Sequence, residues 1–372
     1  MAKKTGFFIG IVLIILVIAA IITIFVFKVF DKKPVTIGAI LPLTGPVAQS
    51  AIELRDGLNL AVEEVNLQGG INGQTVNLII KDCKMDFEGA KNIFSNMEAT
   101  AHPDLYVTML SPIVITLAPL AEKNKVSLVS PLVTGSNKAI LEGKKWVFRT
   151  CAPADIEVPT EINILKEKGI KNVGVIYQND SLGQTVKGPF ESEFSELGCT
   201  VLAEPFEPNA KDFKTQISNL LNTEAVYLIG LPAYLEPLIK QLRELKYNGL
   251  ITSTSIAAQP SITALPEANG VYVAAQFCYN PNFNLANRVK EKFESKYKRP
   301  FNHEAGYAYD FIRLLAGLLD NRSVSRENIR KILEGGFTYS GLFGNLAIKK
   351  GSHDLSPPLY PAQIVNGELV FQ

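Results

Sequence analysis

The stretch Val35-Thr36-Ile37-Gly38-Ala39-Ile40-Leu41-Pro42-Leu43-Thr44-Gly45 decides the fold. Its first seven residues are apolar or β-branched with no polar alternation, so they read as a strand buried on both faces, the kind found in parallel sheets. Pro42 stops the strand, and Thr44-Gly45-Pro46 turns the chain. Outward from there, Glu53–Asn66 has helical spacing, with Leu54, Leu58, Ala61, Val62 and Val65 on one side. Gly69-Gly70 and Asn72-Gly73 are turn signals, and Val76–Ile80 reads as the next strand. A helix over Phe87–Met97, a strand over Leu105–Leu110, a helix over Ile115–Lys123 and a strand over Val126–Val129 follow. This βαβ rhythm predicts an α/β class with a mostly parallel sheet covered on both faces.

A second series of similar size begins after Trp146–Arg149. Helices are expected at Glu157–Lys168, Lys187–Leu197, Lys211–Leu221 and Tyr234–Leu245. Strands are expected at Asn172–Tyr177, Thr200–Pro205, Ala225–Ile229 and Leu250–Thr254. The last third returns to helices at Leu285–Tyr297, Glu304–Leu319 and Ser325–Gly335, then to short strands near Gly344–Ile348 and Ala362–Val365.

The chain has 372 residues, 47% hydrophobic, with 37 Lys+Arg against 36 Asp+Glu. A net charge of +1 supplies no electrostatic footprint for nucleic acid, so no nucleic-acid partner is expected. Much of the apolar content is concentrated in Gly6–Phe27, a run without a charged side chain. As a helix it would be about 33 Å long, enough to cross a bilayer core. It ends in Ile24-Phe25-Val26-Phe27 rather than a small-residue cleavage site, so it reads as a retained single-pass anchor over residues 1–34. Leaving out that segment removes five lysines and one aspartate, so 32 basic and 35 acidic residues remain in an extracytoplasmic body.

Signals for covalent chemistry are sparse. The histidines are His102, His303 and His353, and none sits in a metal-binding motif. No phosphate loop, nucleophile elbow or dinucleotide fingerprint is present. Cys83, Cys151, Cys199 and Cys278 are too far apart for a zinc or redox pair, and isolated core thiols are the expectation. No enzyme, cofactor or metal is therefore expected. What the pattern marks is a set of loops beyond strand ends, where parallel α/β sheets bind ligands. These are Thr44–Pro46, Ser111-Pro112 and Ser130–Ser136 in the first unit. In the second they are Asn179–Gly183, Gly230–Ala233 and Ser255–Ala258, and together the six loops suggest a cleft between two lobes.

Several pieces of sequence, in shared order and spacing, carry a family resemblance. They are Ile37–Gly45, Gly57 through Ala61 leading to Glu64-Val65-Asn66, Gly69–Gly73, and Asp82 after the second strand. Ser130-Pro131 with Thr134, Val147-Phe148-Arg149-Thr150, Asp180 with Gly183, Asp212-Phe213 and Ala308-Tyr309-Asp310 complete them. Over residues 35–372 the chain resembles the type I periplasmic binding proteins, in particular the leucine/isoleucine/valine-type substrate-binding subunits of ABC importers.

The resemblance implies two Rossmann-like lobes joined by a hinge of three chain crossings. The first lobe would be 35–152 with 282–345, the second 153–281 with 346–372. It implies a small-molecule ligand in the cleft, an amino acid or a small organic acid or amide, and ABC permease subunits as partners. A ligand-sensing receptor ectodomain working with a separate signalling partner is the alternative. The ligand carboxylate would be held by Ser111 and Thr134, with Pro112 and Val133 beside them. Leu182 stands where the family has a tyrosine, Leu231 where it has an aromatic, and Ala257 lies in a segment lacking the family's acid. Those substitutions remove the expected partner for a ligand ammonium, and Asp155, Glu267 or Glu304 would have to supply it from another position.

Overall fold

The computed structural model describes residues 32–133 and 135–372, the side chain of Ser181 excepted. The apolar run Gly6–Phe27, expected to be a membrane helix, and the candidate Thr134 lie outside the described residues. Among the described residues no helix is long and apolar enough to cross a membrane.

Two sheets organise the chain. The first contains β1 (Val35–Leu41), β2 (Val76–Asp82), β3 (Leu105–Met109), β4 (Ser127–Leu132) and β5 (Val147–Arg149), in the order β2-β1-β3-β4-β5. All its pairs are parallel, and β1 is buried at every position, as its unbroken apolar run requires. The second sheet contains β6 (Asn172–Gln178), β7 (Thr200–Phe206), β8 (Ala225–Ile229), β9 (Leu250–Ser253) and β10 (Tyr272–Ala275). These five run in parallel in the order β7-β6-β8-β9-β10, the same winding as the first sheet. β13 (Tyr360–Val365) and β14 (Glu368–Phe371) extend it in antiparallel fashion beyond β10. A separate hairpin pairs β11 (Phe337–Gly341) with β12 (Gly344–Ile348).

Each sheet has its own apolar core. One continuous cluster joins β1–β5 to the helices Asn284–Tyr297, His303–Leu319 and Arg326–Glu334. Two smaller clusters cover the faces of the second sheet. The result is a two-lobe α/β fold. The last third of the chain returns to the first lobe because its helices bury their apolar faces there. The chain passes between lobes at Thr150–Glu157, at Gln276–Phe283 and between Ile348 and Tyr360.

Several sequence expectations change. β4 runs on to Leu132, so Ser130 and Pro131 are strand residues; the edge partner β5 pairs with Ser130. The helix expected at Lys211–Leu221 shrinks to Lys214–Asn219, because Asp212 accepts the Lys214 N–H at 3.1 Å and Phe213 turns into the core. β10, β11 and β14 were not expected; they are strands of four or five residues whose alternation is too brief to stand out. All four cysteines are free; Cys83, Cys151 and Cys278 are buried.

Candidate functional site

Equal winding gives both sheets a switch point, where neighbouring strands send their connections in opposite directions and leave a crevice at their carboxyl ends. It lies between β1 and β3 in the first sheet and between β6 and β8 in the second. A cleft of about 470 Å³ opens between those two edges. Val47, Ser50, Leu110, Leu132, His303 and Glu304 line it from the first lobe. Asp180, Leu182, Leu231, Pro232, Ile256 and Gln259 line it from the second.

Local chemistry holds each wall. On the loop after β1, Asp82 accepts hydrogen bonds from the Leu43 N–H at 2.8 Å, the Thr44 hydroxyl at 2.9 Å and the Lys84 N–H at 2.9 Å. Partial desolvation acts to raise its pKa, but these donors outweigh it and hold the carboxyl below its ordinary range. At the end of β3, Leu110 has φ +66° and ψ 137°, a conformation costly for a side-chain-bearing residue, of order 1–3 kcal/mol. The β3–β4 register shifts just before it, and its N–H donates to the Leu132 carbonyl at 2.7 Å. The kink aims Leu110 and Leu132 into the cleft together.

The segment after β4 is clamped from three sides. The Cys151 thiol lies 3.0 Å from the Val133 N–H, which donates to it, and 3.3 Å from the Val133 carbonyl. Complete burial pushes this thiol up to about 12, so it is a neutral fastener. The Ser111 hydroxyl oxygen accepts the Gly135 N–H at 3.1 Å. The fully buried Arg149 guanidinium donates to the Gly135 carbonyl at 2.8 Å and to the Asn137 side chain. Arg149 also pairs with Asp354 of the third interlobe passage at 2.5 Å. The Leu355 N–H donates to the Arg149 carbonyl at 2.8 Å, and His353 stacks on Phe148 at 4.4 Å. One arginine thus ties the loop beyond β4 to the chain that connects the lobes.

In the second lobe Asp180 caps the helix Ser181–Glu196. Its Oδ1 accepts the Gly183 N–H at 3.0 Å, and its Oδ2 accepts from Gln178 Nε2 at 2.7 Å. A Cβ on Gly183 would lie 1.8 Å from the Gln178 carbonyl oxygen, so only glycine lets the helix start so close to β6. Glu157 accepts the Ser255 N–H at 2.7 Å and thereby fixes the segment that presents Ile256.

The first lobe's acid arrives by close helix packing. A Cβ on Gly57 would lie 2.1 Å from the Ala305 carbonyl oxygen, so Gly57 lets the helix His303–Leu319 approach the helix Ala48–Leu67. That approach sets His303 and Glu304 on the cleft wall. Tyr279 stands beside them; its hydroxyl accepts the His303 N–H at 2.9 Å and lies 3.0 Å from His303 Nδ1. His303 Nε2 is then 3.7 Å from Glu304 Oε2.

Of the residues singled out from sequence, Leu182 and Leu231 line this cleft. Ser111, Pro112, Val133 and Ala257 stand one residue beyond lining residues or, for Pro112, two. Ser111 is half-buried, Pro112 exposed, and Val133 and Ala257 are buried. Glu304, one of three alternative acids, is on the cleft wall, whereas Asp155 and Glu267 are not among the lining residues. His303, Val47, Ser50 and Gln259 were missed, and no spacing signal marks them. Among the described residues no group of three His, Cys, Asp or Glu side chains could hold a metal ion.

A family model described as periplasmic binding protein matches residues 34–368. Among curated proteins, a Leu/Ile/Val-binding protein homolog 3 of Brucella melitensis is 28% identical over 222 residues, covering 58% of this chain and 60% of the relative. A chemotactic signal transduction system substrate-binding protein, BasB, of Halobacterium salinarum is 28% identical over 254 residues, covering 65% of this chain and 60% of the relative. The matched segments thus span about 60% of the length of these relatives. Among solved structures, a putative branched-chain amino acid ABC transporter protein from Rhodospirillum rubrum superposes with a TM-score of 0.80 at 20% identity. It covers 91% of this chain and all of that one. The substrate-binding protein LivJ of Streptococcus pneumoniae, solved with isoleucine, gives a TM-score of 0.73 at 19% identity over 91% of this chain and all of that one. At those identities the structures speak to the fold, and the match over residues 34–368 makes the chain a member of the type I periplasmic binding protein family.

Proposed function

We propose that this chain is an extracytoplasmic solute-binding protein that encloses one small organic molecule between its lobes and presents it to an ABC permease. The carrying observation is the cleft itself: about 470 Å³ at the facing switch points of two sheets, walled largely by aliphatic side chains. Its ligand is an amino acid or a related small carboxylate or amide. Ser111 and Thr134 hold the carboxylate, with Pro112 and Val133 shaping their loops. The Ser111 oxygen already accepts from Gly135, so its own proton remains to be donated. Leu182, Leu231 and the segment around Ala257 enclose the apolar body.

The lobes divide as 35–152 with 282–345 and 153–281 with 346–372. Closure does the work, because a ligand shifts the lobes only by binding the closed form better than the open one. No covalent step is required. The run Gly6–Phe27 anchors the body in the membrane and keeps it near its permease, raising its effective concentration there.

Thermal unfolding of the full chain in detergent tests this reading, against a panel of amino acids, carboxylates, amides and neutral solutes. A ligand at a hundred times its Kd adds about 2.7 kcal/mol to the native state and raises the midpoint by a few degrees. A panel without any shift would defeat the reading. A sensing role is the second reading, supported by the likeness to BasB. Co-purification with a receptor rather than a permease would favour it.

A further inference from the structure

The interlobe cleft lies at the carboxyl ends of both sheets, so the amino ends of β1–β5 form the opposite pole of the first lobe. The described chain enters the body at that pole. Gln74 Nε2 donates to the Lys33 carbonyl at 2.6 Å and Lys32 Nζ to the Asn72 carbonyl at 2.5 Å, which pins the entry to the turn before β2. The Asn72 side chain donates to the Leu319 and Arg322 carbonyls at 2.7 and 2.6 Å and accepts the Asn321 N–H at 2.7 Å, so the turn after the helix His303–Leu319 is bound alongside. Arg326 continues the row, donating to the Pro103 carbonyl before β3 and to the Asn124 carbonyl before β4. Glu122 closes it by accepting the Lys145 and Trp146 N–H groups before β5, at 2.8 and 2.7 Å. These loops thus form one continuous face.

That face is basic. Lys32, Lys33, Lys123, Lys125, Lys145 and Arg322 are exposed on it. Of the acids beside them, Asp320 and Glu142 are exposed, whereas Asp104 and Glu122 are half-buried and already accept backbone N–H groups. Leu67 ends its helix at the same pole and is 81% exposed, the most exposed large apolar side chain among the described residues. The charge asymmetry extends to the lobes: 35–152 with 282–345 holds 21 basic and 18 acidic residues, net +3, while 153–281 with 346–372 holds 11 and 17, net −6.

We propose that the amino-end pole of the first lobe is a membrane-contact face that settles on anionic lipid headgroups. This builds on the reading of Gly6–Phe27 as an anchor: Lys32 follows that run by five residues, a reach of at most about 18 Å, so the entry pole stands close to the bilayer. Each cation near an anionic surface strengthens such a contact roughly fivefold, and its effect dies away within a Debye length of about 8 Å. Leu67 supplies an apolar contact at headgroup level. The negative second lobe is repelled by the same lipids, so the body stands on its first lobe with the cleft held clear of the bilayer. A second copy is the poorer occupant, because a two-fold contact would set the same basic face against itself.

The test uses the full chain in vesicles, either of equal parts phosphatidylglycerol and phosphatidylcholine or of phosphatidylcholine alone. Leu67→Cys carries an environment-sensitive fluorophore, with the half-buried Cys199 replaced by serine, and Leu202→Cys in the second lobe is labelled as the distal control. Headgroup spin-labelled lipid is the quencher. In the anionic vesicles the label at 67 should be blue-shifted and quenched at least about threefold more than in phosphatidylcholine, and the difference should vanish in about 1 M salt, where the Debye length is roughly 3 Å. The label at 202 should stay wet throughout. Lys123→Glu with Lys125→Glu and Arg322→Glu should return the label at 67 to its value in phosphatidylcholine, with the unfolding midpoint in detergent unchanged. If the chain resists carbonate extraction but the label at 67 is equally wet in both lipids, the inference falls and the anchor stands. Equal quenching in both lipids, or quenching at 202, overturns it as well. A concentration-dependent blue shift in detergent alone would assign the face to a second copy and overturn it. If carbonate strips the chain from the vesicles, the anchor reading and the inference fall together.

Discussion

Glu157 supplies a pH prediction with a magnitude. It stands just before the helix Val158–Glu167, and Glu161 follows in the first turn, both carboxyls shut away from water. Glu157 accepts from the Ser255 N–H at 2.7 Å and the Tyr227 hydroxyl at 3.3 Å. Glu161 accepts from the Ala274 N–H at 2.9 Å and from the Thr252 hydroxyl. Burial is the largest influence on Glu157 and pushes it up to about 7 from an ordinary 4.5; the Ser255 and Tyr227 donors pull back, and the Asp155 charge adds to the rise. Glu161 is driven well above its ordinary value by burial, with the Glu157 charge reinforcing it.

The folded chain therefore binds the Glu157 proton more tightly than the unfolded chain does. The stability linked to that proton is full below about pH 4.5 and is lost as pH rises through about 7. A difference of some 2.5 pKa units corresponds to about 3 kcal/mol. Glu157→Gln cannot ionise and escapes this loss. Its amide cannot accept at both oxygen positions, which costs about 1 kcal/mol at any pH. The variant should thus be about 1 kcal/mol less stable than wild type at pH 4.5 and about 2 kcal/mol more stable at pH 8. Urea unfolding followed by circular dichroism at the two pH values reads both numbers. Asp310, buried in the first lobe and pushed up to about 6, titrates in both proteins and cancels in the difference. Parallel pH profiles for variant and wild type would refute the argument. A binding readout accompanies it, since Glu157 fixes the segment that presents Ile256 to the cleft.

Other substitutions probe the frame around the site. Gly57→Ala places a methyl 2.1 Å from the Ala305 carbonyl oxygen, so it should cost about 1–3 kcal/mol in urea unfolding and also weaken ligand binding by moving Glu304. Asp354→Asn leaves the fully buried Arg149 without its countercharge. It should cost about 2 kcal/mol, less than a fully buried pair because Asp354 is 25% exposed, and the loss should shrink little in salt. Leu231→Ala removes a side chain that is 45% exposed, so the ligand-free midpoint should barely move. An aliphatic ligand should then bind about 5- to 20-fold more weakly, for roughly 1–2 kcal/mol of lost apolar burial.

The lobes were legible in sequence because parallel strands buried on both faces are written as unbroken apolar runs, as in Val35–Leu41 and Ala225–Ile229. Strand β10 is too short to stand out in the sequence, and Ser130-Pro131 reads as a loop because proline usually ends a strand. The cleft was legible as a set of strand-end loops, and Leu182 and Leu231 stand out within them only through the family resemblance, which expects aromatic residues there. Sequence alone leaves Glu304 as one acid among three, because its place depends on Gly57 admitting a helix some 250 residues further along the chain. The Cys151 and Arg149 clamps on the segment after β4 likewise join residues far apart or of no distinctive type, so no local pattern carries them.

The central claim is that a solute binds between the lobes, in this cleft and nowhere else. Calorimetric titration of the full chain beside a double variant, Leu182→Trp with Leu231→Trp, tests it most directly, using the tightest solute of the panel. Both positions line the cleft, and two indole rings would fill much of its width. The account predicts saturable one-to-one binding by wild type and none by the blocked variant, with the variant's ligand-free unfolding midpoint unchanged. Equal binding by both proteins would place the solute elsewhere and contradict the account.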